Sequence, residues 1–568
     1  MIQMEKVKNE TNAMIDFIYI MKEEKMKKEV DVVLIDCAFI GQKKIAEPLG
    51  ICYLASALRE KEISVKILEP AIEGWGIDEI ITEISNFKCK VIGLSAIRDE
   101  NIKGIFKLVN ELKKVAKVFV GGHGPSIGVL AQKDLYIRLG ENIDGFIVGE
   151  GEKSFTELVQ SILQGKNWRD CKGLAYINDN GKLFINSLPD KISNINTLPF
   201  MARDILEEYI KKYGQGIEAS LLSSRGCCFG HCTYCSVGIY ERIQKGDHSR
   251  YRTISNIVDE IIYLYEMYGI NKFNFEDDNF FMYGSEGRTR IYEFIEKIKD
   301  LYFKIEFTLY CRADLIQKDI FLQLKSVGLK GIFLGIESFY DETLKFFNKG
   351  LRAEHMFRAL DTLYNIGFSA KPGSEYRIHV GFIFWHPKIT VEEMEITLTS
   401  IKKYGMSTKL FTRKLFVYSG CPIEKLLYNE GLLDKGSNVW RYKKSYMEIV
   451  EKEVCSFINE VNVYRDSIRT LEKASLQFGI DILQNESVYS KLYKTRLFLD
   501  DSCLEYMEKI IYIIKQKPTE LKKTIKSLDL HFRKKITSYM EDNKIEKRIA
   551  EMQKKLYLES NDIDLFRK

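Results

Sequence analysis

The sequence predicts an α/β chain: a Rossmann-like doubly wound domain, a partial (β/α)6 barrel of the TIM type, and a helical carboxy-terminal region. Three observations carry that expectation. Short apolar runs alternate with helix-length amphipathic segments from Asp31 onward. The alternation restarts near Glu218 after a polar stretch, and beyond about Lys425 it gives way to Lys/Glu-rich segments of helical periodicity.

In the first series the runs Val32 to Ile35, Ser64 to Leu68, Val91 to Ser95, Val118 to Gly121 and Gly145 to Val148 are each followed by loop residues and a helical stretch. Such βα repeats build a doubly wound sheet, whose ligands lie beyond the carboxyl ends of the strands. Small residues crowd those positions: Gly93-Leu94-Ser95-Ala96, Gly121-Gly122-His123-Gly124 and Gly149-Glu150-Gly151-Glu152. Absent side chains let a ligand approach the backbone, although the same glycines also serve tight turns. The stretch from Gly173 to Pro199 reads as a polar linker with a hairpin turn at Asn178-Asp179-Asn180-Gly181.

The second series has candidate strands at Ala219 to Ser223, Lys272 to Phe275, Glu306 to Tyr310, Gly331 to Leu334, Arg377 to Phe384 and Leu410 to Phe416, enough for a partial barrel. Between Ser255 and Tyr268, Ile257, Ile261, Leu264 and Tyr265 share one helical face, with Ser255 as the expected N-cap. The resulting organisation is an extension over 1–29, a Rossmann-like domain over 30–172, a linker over 173–200, a barrel over 201–425 and a helical region over 426–568. In the last, Trp440, Tyr442, Tyr446 and Phe457 are expected to pack as core, with a cap over the barrel as the alternative.

At 568 residues the chain exceeds one core, and 45% apolar with 29% charged residues suits a soluble protein. No run is apolar and long enough to span a bilayer, and Met1 to Val30 mixes Lys with Glu where a secretory signal needs an apolar stretch. The twelve cysteines are scattered apart from a knot of four between Cys227 and Cys235. That is no disulfide scaffold; free thiols without an export signal point to the cytoplasm, where such a knot binds metal. The formal charge of +5 comes from Glu505 to Lys568, with 16 Lys plus Arg against 11 Asp plus Glu. Both signs interleave there, which reads as a solvated helical face rather than a nucleic-acid footprint.

The chemistry centres on Ser224-Arg225-Gly226-Cys227-Cys228-Phe229-Gly230-His231-Cys232-Thr233-Tyr234-Cys235, just after the first barrel strand. Three thiolates from one loop can hold three irons of a [4Fe–4S] cluster and leave the fourth open to a substrate. Structural zinc wants four closed ligands, and no second Cys or His pair follows at suitable spacing.

This stretch resembles the radical S-adenosylmethionine superfamily, marked by Cys-x3-Cys-x2-Cys after the first barrel strand. Cys228, Cys232 and Cys235 match that spacing and are the expected cluster ligands, while the Arg-Gly-Cys phrase of corrinoid-dependent members aligns Cys227 as the first ligand instead, which makes Cys227 the rival to Cys228. The resemblance places Tyr234 near the adenine of the cosubstrate. It assigns the acidic segment Glu276, Asp277 and Asp278 to the methionine ammonium, Arg312 to the carboxylate, and Glu337 to a ribose hydroxyl or the amino group.

The upstream domain is similar to corrinoid-binding domains in its Pro48-Leu49-Gly50 turn, Gly121-Gly122-His123 and Val148-Gly149-Glu150-Gly151-Glu152, and the likeness runs from about Asp31 to Cys421. It implies a cobalamin held near Ser95, Gly121, Gly122, His123, Gly149, Glu150 and Gly151. Classical corrinoid domains offer cobalt a histidine through Asp-x-His-x-x-Gly. That phrase is missing; the only Asp-x-His is Asp529-Leu530-His531, in the tail. His379 and His386 flank the fifth barrel strand as further candidates for substrate contact.

The implied activity is reductive cleavage of S-adenosylmethionine to a 5′-deoxyadenosyl radical, followed by C-methylation of a small-molecule or peptide substrate, with an external reductant such as flavodoxin or ferredoxin. Radical cyclisation, ring contraction or epimerisation is the alternative from the same cofactors, and a non-catalytic corrinoid or iron–sulfur sensor the alternative of another class. Neither a second cysteine triplet nor a small basic β-domain supports methylthiolation of transfer RNA.

Overall fold

The computed structural model describes residues 27–214, 216–434, 437–477, 486–516 and 520–550. Residues 1–26 of the expected amino-terminal extension lie outside the described residues. The chain divides into two compact units, Met1–Ser220 with Ile239–Asn256, and Leu221–Gly238 with Ile257–Lys568.

In the first unit, β1 (Val32–Asp36), β2 (Val65–Leu68), β3 (Val91–Ser95), β4 (Lys117–Gly121) and β5 (Gly145–Ile147) are parallel, in the spatial order β2-β1-β3-β4-β5. β1 reads Val-Val-Leu-Ile-Asp and is buried at every position, as a parallel strand covered on both faces must be. The chain leaves β1 for β2 on one side and then returns to β3 on the other. Strand order therefore reverses between β1 and β3, where Asp36 pairs with Ser95, and sheets of this kind bind ligands at the carboxyl ends of the strands beside such a reversal.

The expected linker is part of the sheet. β6 (Leu174–Ile177) pairs antiparallel with β5, and β7 (Leu183–Ile185) with β6, which makes seven strands. Fully buried Leu174 and Ala175 drive this, while Asn178 accepts the N–H groups of Asn180 and Lys182 at the anticipated turn. A buried ion pair braces the stretch beyond it: both Glu47 oxygens lie 3.0 Å from Arg203 Nη1, and one also accepts the Ser220 N–H at 2.7 Å.

The second sheet contains β8 (Ala219–Leu221), β9 (Lys272–Phe275), β10 (Glu306–Arg312), β11 (Leu329–Glu337) and β12 (Arg377–Phe382), in that order. The sixth expected strand, Leu410 to Phe416, differs. Ser407 caps a 3-10 turn over Thr408–Thr412, and the chain then joins the sheet edge through one parallel bridge, Trp385 with Lys414. The Phe384 and Trp385 N–H groups donate to Arg413 O at 3.0 and 2.8 Å, and Leu415 N–H donates to Trp385 O at 2.8 Å. Burial of Leu410 and Phe411 in the turn overrides their strand pattern.

Phe275, Phe280, Phe294 and Phe307 interlock edge to face, with centroids 5.0 to 6.0 Å apart. Each such contact adds about 0.5–1.5 kcal/mol beyond its buried area. Phe275 and Phe280 thereby clamp both ends of the acidic loop 276–279.

The helix Ile254–Tyr268 starts one residue before Ser255, and Thr253 is the cap, its hydroxyl accepting Asn256 N–H at 3.3 Å. Beyond the barrel run the helices Tyr446–Gln477, Glu486–Gln516 and Leu521–Asp542. Trp440 donates to Leu415 O at 3.0 Å, Tyr442 to Glu451 at 2.7 Å, and buried Phe457 lies 4.2 Å from Tyr506, which is core packing. Among the described residues no helix is long and apolar enough to cross a membrane.

Candidate functional site

In the first unit the ligand edge starts with two carboxyls on neighbouring strands. Asp36 ends β1 and Glu69 follows β2; both are buried and hydrogen-bonded to each other. Burial raises both, Asp36 to about 6 and Glu69 to about 8, against the pull of Lys44 and of the Ala38 and Ala71 N–H groups. The sequence from here reads Asp36-Cys37-Ala38-Phe39-Ile40-Gly41, which keeps the aspartate and glycine of Asp-x-His-x-x-Gly with Ala38 in the histidine's place. That degenerate phrase is legible in the sequence once the histidine is allowed to vary.

At the ends of β3 and β4 the backbones touch. Ser95 O accepts Cys37 N–H at 2.9 Å and Gly121 O accepts Ala96 N–H at 2.9 Å. Gly122 has φ +112°, and a Cβ there would stand 2.3 Å from Ala96 O, so only glycine closes this turn. A Cβ on Gly121 would meet only Ile147, at 3.6 Å, so packing does not demand that glycine.

Two expected contacts are taken by the protein itself. The His123 ring stacks on Tyr240 at 3.9 Å, and burial lowers it to about 4, which leaves it neutral. Glu150 is an internal clamp: its carboxylate meets Arg250 at 2.7 Å and Ile192 N–H at 3.2 Å, and its own N–H donates to Gln244 at 2.7 Å. Gly149 N–H donates to Ser126 at 3.0 Å, and Gly151 opens the helix Gly151–Leu163 against Leu54.

In the second unit the cysteine loop is held from below. One oxygen of Asp277 accepts the Ser223 N–H at 3.0 Å, the Ser223 hydroxyl at 3.0 Å and the Ser224 hydroxyl at 2.5 Å. Asp277 is 1% exposed, so it anchors the loop rather than presenting its charge to a ligand. Its neighbour Asp278 is exposed and acts electrostatically on Cys235. Glu276 hydrogen-bonds Asn274 at 2.5 Å and also Tyr310.

The rival cysteines part company. Cys227 receives the Cys228 thiol and the N–H groups of Gly230 and Phe229, with Arg312 nearby, which lowers it to about 5. Its charge is felt by both Cys232 and Cys235, which burial raises, Cys235 to about 12. Cys228 is raised by its bond to Cys227 and accepts the Asn279 amide at 3.2 Å. Asn279 also accepts Arg312 N–H at 3.1 Å and is fully buried. Thr233 ties the far half of the loop to Phe346 O and Phe347 O at 3.0 and 2.9 Å.

Arg312 is committed within the protein: Nε donates to Tyr283 at 3.0 Å and to Asp314 at 3.1 Å, Nη2 donates to Lys349 O at 3.0 Å, and the guanidinium lies 4.1 Å over Phe229. The cation that faces Glu337 is Lys349, which sequence reading missed; its Nζ lies 3.1 Å from the Glu337 carboxylate, and it is 4% exposed. Gly335 makes room, since a Cβ there would come within 3.0 Å of that ammonium and 3.1 Å of that carboxylate. Tyr234 hydrogen-bonds Glu337 and packs edge-on to Phe347 at 5.1 Å. Glu337 itself has φ +65°, a conformation that costs a side-chain-bearing residue roughly 1–2 kcal/mol. His379 is exposed on β12, whereas His386 is fully buried, its Nε2 3.0 Å from the Glu393 carboxylate.

The donor set fits an iron–sulfur cluster. Three half-buried free thiols on one pinned loop influence one another, and a multi-iron cluster takes each thiolate on a different iron. Among the described residues no three Cys, His, Asp or Glu side chains gather at one point to hold a single ion.

Comparison with known proteins agrees with this division. The radical SAM superfamily matches residues 221–401, and the B12 binding domain matches residues 27–159. The chain is 30% identical over 372 residues to an uncharacterized methyltransferase of Pyrococcus horikoshii, covering 64% of this chain and 75% of that one. The structure of the cobalamin-dependent S-adenosylmethionine radical enzyme OxsB with aqua-cobalamin and S-adenosylmethionine bound superposes with a TM-score of 0.68 at 16% identity, over 94% of this chain and 84% of that one. The radical S-adenosylmethionine methyltransferase TsrM from Kitasatospora setae gives 0.56 at 17%, over 71% and 75%. At those identities the two structures show the fold alone.

Two outcomes follow from these environments. Asp36 and Glu69 hold protons more tightly folded than unfolded, so the stability of the first unit falls as pH rises from about 4.5 through about 8. Denaturant titrations should show that decline, and Glu69→Gln should flatten it; a pH-independent midpoint in the unaltered protein contradicts it. Among the cysteines, Cys227→Ala, Cys232→Ala and Cys235→Ala should each lose most of the iron and sulfide after anaerobic reconstitution, whereas Cys228→Ala keeps it. Iron analysis showing the reverse for 227 and 228 moves the first ligand to Cys228.

Proposed function

The chain belongs to the radical S-adenosylmethionine enzymes that carry a B12-binding domain, and on that premise we propose that it methylates an unactivated carbon of a small-molecule or peptide substrate. The family's cofactors are a [4Fe–4S] cluster, S-adenosylmethionine and cobalamin. Bound together they supply hydrogen-abstracting radical chemistry and a methyl donor, while the protein orients them and excludes water.

The observation that carries this reading is the thiol loop tied through Asp277 to an acidic segment, with the exposed Asp278 beside Cys235. Cys227, Cys232 and Cys235 would hold three irons. Asp278 would accept the methionine ammonium, Lys349 with Glu337 would meet the carboxylate and a ribose hydroxyl, and Tyr234 would flank the adenine. The fixed positive charge of Arg312 stays beside the thiolates, because Asp314 and Tyr283 hold its side chain. In the first unit the backbone at Ser95, Gly121, Gly122 and Gly149 would line the corrinoid, with Ala38 leaving no imidazole for the metal and neutral His123 kept in its stack.

Methylation is favoured over other radical outcomes by the Pyrococcus relative, which is described as a methyltransferase. The electron comes from an external one-electron donor of the flavodoxin or ferredoxin type.

The test is a turnover of the anaerobically reconstituted enzyme with cobalamin, dithionite, methyl-deuterated S-adenosylmethionine and a metabolite extract. A product heavier by one intact CD3 group in place of hydrogen, with 5′-deoxyadenosine released, is the expected result. Release of 5′-deoxyadenosine with no deuterium in any product would point to cyclisation or rearrangement, and no 5′-deoxyadenosine at all to a sensor.

A further inference from the structure

Glu337 owes its position to a bulge. β11 and β12 pair in register up to Gly335 with Gly381 and resume at Glu337 with Phe382, so Ile336 is the extra residue. The bulge coincides with the left-handed φ of Glu337, a steric penalty that persists only if the surroundings over-determine it.

Those surroundings are a buried polar network on the far side of Ser338. Ser338 N–H returns to Ile336 O at 2.8 Å, its oxygen accepts Tyr340 N–H at 3.0 Å, and its hydroxyl donates to Glu393 Oε1 at 2.6 Å. Glu393 comes from the helix Val391–Tyr404, where its own N–H is held by the capping Thr390 hydroxyl at 3.1 Å. The other Glu393 oxygen accepts the Thr343 hydroxyl at 2.8 Å and His386 Nε2 at 3.0 Å. Ser338 and His386 are fully buried, and Glu393 and Thr343 are 2% and 4% exposed.

A carboxylate so placed is a poor source of stability, because apolar side chains of similar volume would fill the space at least as favourably. What it supplies is direction. Both hydroxyls and the imidazole converge on one fixed group, and Ser338 is the only one of the three adjacent in sequence to a proposed ligand contact.

We infer that Glu393 is a positioning residue for the cosubstrate site: through Ser338 it locks the bulge and the left-handed backbone of Glu337, so that the Glu337 carboxylate is presented with Lys349 and Tyr234 in a single geometry. The inference rests on the reading of Glu337 as a contact of S-adenosylmethionine. His386 and Thr343 complete the lock without touching the cosubstrate.

The experiment uses the full chain loaded with cluster and cobalamin, and compares Ser338→Ala and Glu393→Gln with the unaltered protein. Calorimetric affinity for S-adenosylmethionine should weaken about tenfold, the effect of one lost charge-assisted hydrogen bond. Cobalamin affinity and iron content should not change, and KM for S-adenosylmethionine should rise while kcat at saturation stays within about twofold. If both affinities fall together, or the melting temperature drops while S-adenosylmethionine binds as before, the network is merely structural and the inference is overturned. Should Glu393→Gln fail to fold, Ser338→Ala, which leaves the carboxylate with two donors, still decides. Failure of the unaltered holoprotein to bind S-adenosylmethionine rejects the functional reading as well, which separates the two failures.

Discussion

One oxygen of Asp277 receives three donors from Ser223 and Ser224, and the geometry of the second unit's site follows from that convergence. The cysteine loop begins on the next residue, so its start is fixed to the end of β9 before any cofactor is considered. Phe275 and Phe280 hold both ends of the same acidic loop in the aromatic core. Burial leaves Asp277 raised to about 6, and its loop donors compensate by hydrogen-bonding the charged form. Asp277, the carboxylate a reader of motifs would give to the ligand, is thus spent on the cysteine loop, while its neighbour Asp278 is exposed.

A second constraint is charge balance around the cysteine loop. Two buried cations, Arg312 and Lys349, stand among thiols and carboxylates, and each has its own anion, Asp314 and Glu337. Such pairs add little net stability but fix direction and keep charges from wandering when an ionic cofactor enters. In the first unit the same pairing appears as Glu150 with Arg250 and Glu47 with Arg203. These groups shape the strand ends while glycines supply the open backbone.

Much of this was legible in the sequence because it is periodic or local. The buried parallel strands announce themselves as continuous apolar runs, and the thiol knot, the acidic segment and the glycine turns are contiguous phrases. What was not legible depends on partners far apart in the chain. Nothing local says that Glu150 meets Arg250, that Arg312 is spent on Asp314 and Tyr283, or that Lys349 returns to Glu337. The hairpin Leu174 to Ile185 looked polar because its turn is; its buried residues are few. Leu410 and Phe411 carry a strand's composition but are buried in a 3-10 turn, where packing outweighs propensity. Glu393 reads as one acidic residue on an amphipathic helix, and only the fold brings it to Ser338.

The function proposed for the second unit depends on a cluster with one iron left free for S-adenosylmethionine. Electron paramagnetic resonance of the dithionite-reduced, anaerobically reconstituted protein, recorded with and without S-adenosylmethionine, addresses it most directly. A cluster signal whose g-values shift when the sulfonium compound is added, with hyperfine coupling to isotope label in its amino and carboxylate groups, is expected. A signal indifferent to that addition, or no cluster signal at all, would contradict it.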